Sequence, residues 1–188
     1  MQQQITGVIL AGGRGQRLGG VDKAMLTWHG KRFLEHIADR LRPQVSRLLL
    51  SVRSASSRNY AGYETVTDPG EGPLGGMLAA LRISETPLTL FVPCDNPTPS
   101  AALAERLLAA LNDHEIAYAS YGGDHHWLYA LVRTQVWDEL EKFWQAGGRA
   151  PHRWYATRDS VAVAFDDMAP SAFRNINTRV ELEALEDN

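Results

Sequence analysis

The feature that most limits how this chain can fold is a short apolar run, Ile5–Leu10, that empties into a glycine-rich loop. The loop, residues 10–23, reads Leu-Ala-Gly-Gly-Arg-Gly-Gln-Arg-Leu-Gly-Gly-Val-Asp-Lys. The run predicts a buried strand, and the loop begins where that strand leaves the edge of a sheet. Five glycines in fourteen positions are too many for a helix or strand interior. They suit backbone that takes positive φ and comes close to a ligand. Between Leu10 and Arg32 five cations (Arg14, Arg17, Lys23, Lys31, Arg32) face one acid, Asp22, a local balance of +4 in a chain of net charge −3. An anion, most simply a phosphate chain, is the expected guest.

The common phosphate motifs do not fit. Gly13-x-Gly15 begins a dinucleotide fingerprint, but Leu18 stands where its third glycine belongs, and Gly30-Lys31-Arg32 fails the P-loop spacing. The pattern Leu-x-Gly-Gly-x-x-x-Arg-x-Gly-x-x-x-Lys instead resembles that of the nucleotidyltransferases that join NTPs to phosphorylated acceptors. Within that superfamily the doubled Gly12-Gly13 and Gly19-Gly20-Val21-Asp22-Lys23 resemble the molybdenum cofactor guanylyltransferases. The likeness is strong over residues 5–97 and thinner over 175–185.

Downstream, Phe33, Leu34, Ile37, Ala38 and Leu41 recur at helical spacing until Pro43. Strands are predicted at Arg47–Val52, Glu64–Thr67 and 88–92. A second glycine-rich turn, residues 71–77, opens a helix that runs to about Ser84, and Ser100 caps a helix over 101–111. This alternation argues for βαβ units in a mostly parallel sheet. Ligands then lie beyond the carboxyl ends of the strands, where residues 10–23, 68–77 and 93–97 fall. The second half differs: strands at Ile116–Tyr121 and 127–132 joined through Gly122-Gly123-Asp124, and a helix with Val136, Trp137, Leu140, Phe143 and Trp144 on one face. A short helix from Pro151, a strand over 161–165 and a capped terminal helix from Thr178 complete the chain. The expectation is one α/β domain over 1–188, with a nucleotide-binding half (1–112) and an acceptor-binding half (113–188). The resemblance implies a Rossmann-like three-layer sandwich of the nucleotide-diphospho-sugar transferase type, its mostly parallel sheet mixed toward the C-terminus.

At 188 residues, 44% apolar and 22% charged, the chain has enough apolar content for one well-buried domain. Cys94 is the only cysteine, which rules out an internal disulfide and suits a reducing compartment. No apolar run approaches the roughly 20 residues of a membrane span. Met-Gln-Gln-Gln lacks the basic start of a signal peptide, so a cytoplasmic protein is expected. A pI near 6.1 without a long basic stripe makes nucleic acid a poor partner.

Asp95, in Pro93-Cys94-Asp95-Asn96-Pro97, is the expected metal residue. Mg²⁺ is content with one or two carboxylates, its remaining ligands coming from water and substrate phosphates. The resemblance places the matching aspartate on Mg²⁺ and the nucleotide. Lys23 is expected to counter charge at the α-phosphate, and Arg17 to hold the departing pyrophosphate. These two and Asp95 make up the expected catalytic set. Leu10, Ala11, Gly12, Gly13, Ser51, Asp68, Pro73, Leu74 and Gly75 complete the expected GTP site. Ser51 stands where the family often has an asparagine. For the acceptor, molybdopterin, the expected residues are Arg149, within the acid-free cluster Arg149, Arg153, Arg158 beside Trp154 and Tyr155, and Asn175 and Asn177, which match the family's Asn-x-Asn-Thr. Ala150 replaces the second of a basic pair that the family carries.

The resemblance implies transfer of GMP from GTP to molybdenum-bearing molybdopterin with release of pyrophosphate. Other proteins of molybdenum-cofactor biosynthesis and recipient molybdoenzymes or their chaperones are the implied partners. Two alternatives stay open on sequence: a cytidylyl- or other nucleotidyltransferase with a different phosphorylated acceptor, and a non-catalytic nucleotide- or cofactor-binding module.

Overall fold

The structure, a computed structural model, describes residues 4–13, 22–53, 60–176 and 181. In chain order the elements are β1 (Ile5–Leu10), β2 (Thr27–Trp28), β3 (Lys31–Arg32), α1 (Phe33–Leu41), β4 (Arg47–Val52), β5 (Glu64–Thr67) and α2 (Pro73–Ile83). Then come β6 (Leu88–Pro93), α3 (Leu103–Leu111), β7 (Ile116–Tyr121), β8 (Asp124–Arg133), α4 (Trp137–Gln145), α5 (Pro151–Tyr155) and β9 (Ser160–Ala164).

Seven strands form one sheet in the order β5-β4-β1-β6-β8-β7-β9. The first four are mutually parallel. β8 runs antiparallel between β6 and β7, and β9 lies parallel to β7. Side chains alternate across the central strands. Ile9, Leu50, Leu90 and Val92 face α1 and α3, where Leu34, Ile37, Leu103 and Leu107 are buried. Val8, Leu49 and Phe91 face α2, α4 and α5 through Leu74, Met77, Leu140 and Trp154. The result is the three-layer α/β sandwich with a mixed C-terminal sheet that the sequence predicts. Each fully buried Leu or Ile contributes about 1.5–3 kcal/mol.

Local sequence sets the boundaries. In α1 the Glu35 carboxylate accepts from Arg32 N at 2.7 Å, satisfying one backbone donor at the helix start, and Pro43 ends the α-helix in a 3-10 turn, Arg42–Gln44. Gly122 and Gly123, at φ 59° and 85°, make the two-residue turn that lets β7 and β8 follow the sheet twist.

Three predictions need correcting. α3 starts at Leu103, because Ser100 Oγ accepts from Ala102 N (3.2 Å) and holds residues 101–102 in a turn. β8 is longer than predicted and bulged. Trp137 does not join the buried stripe of α4. It lies at the stripe's edge, about 60° from Leu140 at about 100° per residue, and is 38% exposed. The predicted terminal helix start at Thr178 falls outside the described residues. Among those described, no helix is long and apolar enough to cross a membrane.

Candidate functional site

Register brings the predicted segments together. Leu10 at the end of β1 pairs with both Ser51 and Pro93, and Val52 pairs with Thr67. The residues that follow therefore stand in a row along the carboxyl edge. Three backbone bonds fix the row: Ala11 N to Ser51 O (2.8 Å), Cys94 N to Leu10 O (3.2 Å) and Asp68 N to Val52 O (2.7 Å).

Lys23 opens a 3-10 turn, Lys23–Met25, capped by Asp22, whose Oδ1 accepts from Ala24 N at 3.1 Å. The other oxygen of Asp22 accepts from the hydroxyl of Tyr60, a fully buried side chain from the segment before β5. Thus anchored, Lys23 Nζ lies 3.8 Å from Asp95 Oδ2, with the two side chains 19% and 20% exposed. Burial pushes the Asp95 carboxyl above its ordinary range, and the Lys23 ammonium opposes that rise. Asp95 is held by its backbone carbonyl, which accepts from Ile176 N (2.7 Å). Its Oδ1 is buried with no hydrogen-bond partner among the described residues. A mostly buried carboxylate with a spare oxygen fits the one or two carboxylates that Mg²⁺ takes. No cluster of three or more His, Cys, Asp or Glu able to hold a metal exists among the described residues. Any cation there would draw its other ligands from water and substrate.

The glycines beside it are packed closely against Asp68 and Ser51. A β-carbon on Gly12 would overlap Asp68 Oδ2, one on Gly75 would lie 3.3 Å from Asp68 Oδ1, and one on Gly76 would stand 2.7 Å from Ser51 Oγ. Asp68 is itself held, its Oδ1 accepting from Gly70 N at 2.7 Å. Pro73, Leu74 and Gly75 form the first turn of α2, whose N-terminal N–H groups and dipole favour an anion. Ser51 is wholly buried, its Oγ without a partner among the described residues. Burial raises the Cys94 thiol to about 12, which leaves it a packing residue.

The basic cluster of residues 149–158 is less free than the sequence suggests. Arg149 Nε donates to Glu71 Oε2 (2.9 Å), its Nη1 to the carbonyls of Trp144 (2.6 Å) and Gly148 (2.8 Å), and the guanidinium lies over the Trp144 ring. Arg158 is paired with Glu115. Trp154 and Tyr155 are core residues. Arg153 is exposed and, with Phe143 and residues 146–150, lines a cavity of about 310 Å³. Asn175 is exposed. His125 and His126 point to opposite faces, against Trp127 and Phe173 respectively. Arg17 and Asn177 fall outside the described residues.

Sequence reasoning missed Tyr60. Its one signal, an aromatic residue closing a serine-rich segment, does not tell which carboxylate it meets 38 positions away.

Comparison with known proteins bears on this arrangement. The MobA-like NTP transferase domain family matches residues 7–161. A molybdenum cofactor guanylyltransferase of Shewanella baltica is 36% identical over 98% of this chain and 97% of its own length. A solved structure of molybdopterin-guanine dinucleotide biosynthesis protein A from Archaeoglobus fulgidus superposes with a TM-score of 0.79 at 23% identity, covering 97% of each chain. A Mycobacterium tuberculosis protein solved in complex with manganese gives a TM-score of 0.72 at 20% identity, covering 99% of this chain and 100% of that one.

Proposed function

The chain belongs to the MobA-like NTP transferase family and is a nucleotidyltransferase of molybdenum-cofactor biosynthesis; from that premise we propose that it transfers GMP from GTP to the terminal phosphate of molybdenum-bearing molybdopterin. One arrangement carries the reading. Lys23 and the half-buried Asp95, with its spare Oδ1, stand at the carboxyl edge beside the glycine-rich turns that pack on Asp68 and Ser51.

The acceptor phosphate is already an anion at neutral pH and needs no base. One of its oxygens attacks the α-phosphorus of GTP, the bond from that phosphorus to the bridging oxygen breaks, and pyrophosphate leaves with the bond's electron pair. Catalysis is then alignment and charge neutralisation. Lys23, fixed by its capped turn, meets charge growing at the α-phosphate. The first turn of α2 and the glycine N–H groups cradle the nucleotide, with Leu10, Ala11, Gly12, Pro73, Leu74 and Gly75 as walls for guanine. Asp95 is the residue to hold Mg²⁺, which when bound screens the phosphate oxygens. Arg17 is the cation to hold the departing pyrophosphate, and the family's Asn-x-Asn-Thr motif points Asn175 and Asn177 to the acceptor or nucleotide. Arg149 reaches the acceptor only by leaving Glu71. The work belongs in the cytoplasm, where the product passes to recipient molybdoenzymes or their chaperones.

The test supplies Mg²⁺, molybdopterin and each NTP in turn, and reads dinucleotide product by mass and pyrophosphate by a coupled assay. Product with GTP is expected. A preference for CTP, or no pyrophosphate with any NTP, overturns the reading.

A further inference from the structure

Glu71 and Arg149 join segments that lie far apart in the sequence. Glu71 belongs to the turn before α2, between Gly70 and Gly72, both at positive φ (95° and 92°). Arg149 belongs to the loop between α4 and α5. The two segments touch, since a β-carbon on Gly72 would stand 3.6 Å from Arg149 O.

The guanidinium of Arg149 is fixed by its own loop. Nη1 donates to the carbonyls of Trp144 (2.6 Å) and Gly148 (2.8 Å), and the guanidinium carbon lies over the Trp144 ring, 4.7 Å from its centre. The remaining edge, Nε and Nη2, is thereby set in one direction. Both of these groups donate to a single oxygen, Glu71 Oε2. A guanidinium fork matches an anion that offers two oxygens, as a phosphate does, so the carboxylate fills this fork only in part. The pair is also easily parted, because an ion pair between side chains 38% and 57% exposed is weak. Arg149 and the exposed Arg153 both line the cavity of about 310 Å³ beside Phe143. With Glu71 withdrawn, that lining offers two cations to an incoming anion.

We propose that Glu71 is an internal substitute for the anionic group of the acceptor: it keeps the Arg149 fork filled in the free protein, and a phosphorylated acceptor binds there by displacing it. The inference rests on the proposed transfer to a phosphorylated acceptor, and it names the side chain with which that acceptor competes. Because Glu71 is tethered to the same chain, it meets the fork at high effective concentration. The acceptor must therefore gain more from the fork and the cavity than the carboxylate does. The competition sets its KM without touching the nucleotide.

Glu71→Gln tests the idea, since it keeps the shape of the side chain and removes its charge. In steady-state assays with GTP, KM for molybdopterin is expected to fall about 2–10-fold, the scale of a weak ion pair lost together with its repulsion of the incoming anion. KM for GTP and the melting temperature are expected to stay as in wild type. The fall is expected to vanish when Glu71→Gln is combined with Arg149→Gln, a change that by itself weakens acceptor binding. If wild type turns over and Glu71→Gln leaves KM for molybdopterin unchanged or raises it, the inference fails and the proposed function stands. Equal falls in the KM for GTP and for molybdopterin would trace to the charge of the whole edge and also overturn it. A fall that persists without the Arg149 guanidinium would do the same. Absence of turnover in wild type overturns the inference together with the reading beneath it.

Discussion

Gly12 and Asp68 approach so closely that no side chain fits at position 12: a β-carbon there would overlap Asp68 Oδ2. The turn after β1 and the residue after β5 are thus packed together although β4 separates their strands. Gly12→Ala must push the Asp68 carboxylate aside, breaking its bond from Gly70 N. Overpacking of this kind costs about 1–3 kcal/mol, and each kcal/mol lowers the melting temperature by roughly 2–4 °C in a chain of this size. KM for GTP is expected to rise at least about tenfold, the equivalent of about 1.4 kcal/mol. Unaltered steady-state kinetics in this variant would show that Asp68 does not shape the nucleotide cleft.

Lys23→Met keeps the length of the side chain and removes its charge from beside Asp95. If Lys23 stabilises charge at the α-phosphate, kcat for pyrophosphate release falls about 10²–10³-fold, the usual effect of losing one pre-positioned charge-stabilising donor. A change confined to KM would make Lys23 a binding residue only.

Tyr60→Phe deletes one buried oxygen and with it the donor to Asp22. A hydrogen bond to a charged group contributes about 1.5–3 kcal/mol, so urea unfolding should show a loss of that order. Because Asp22 caps the turn that carries Lys23, kcat should fall too, by less than in Lys23→Met. Normal kcat in a destabilised Tyr60→Phe protein would separate the anchor from the chemistry.

His126 supplies a pH dependence of stability. Burial holds its imidazole below the ordinary value, His125 adds to the effect and Asp124 opposes it. The unfolded chain therefore takes up a proton at pH values where the folded one does not. The stability this gives is complete above the unfolded value of about 6.5 and is lost as pH falls below it. His126→Gln should flatten the decline in unfolding free energy between about pH 7 and pH 5, measured by urea titration. A decline as steep as in wild type would remove His126 as its source.

Much of the first half was legible because its signals are local. The apolar runs bounding β1, β4 and β6, the periodicity of α1 with its stop at Pro43, and the glycine-rich turns all depend on near neighbours. The row of site residues followed from one topological rule about strand ends. What escaped was set by partners far along the chain. Glu71 engages Arg149 from 78 positions away, which a count of charges between residues 149 and 158 cannot reveal. Trp137 fits the spacing of α4 but lies at the rim of its stripe, where packing and not periodicity decides exposure. The bulge at residues 127–129 has no composition of its own. It appears only when β8 is matched to its two neighbours.

β6 has β1 on one side and β8 on the other, so a strand buried at five of its six residues borrows its second neighbour from beyond residue 113. A fragment ending after α3 would leave Leu88–Pro93 with a raw row of unanswered N–H and C=O groups along an apolar ribbon. Such borders recruit other chains. A fragment cut there is therefore expected to self-associate, and the hairpin of β7 and β8 is what closes that border in the whole chain.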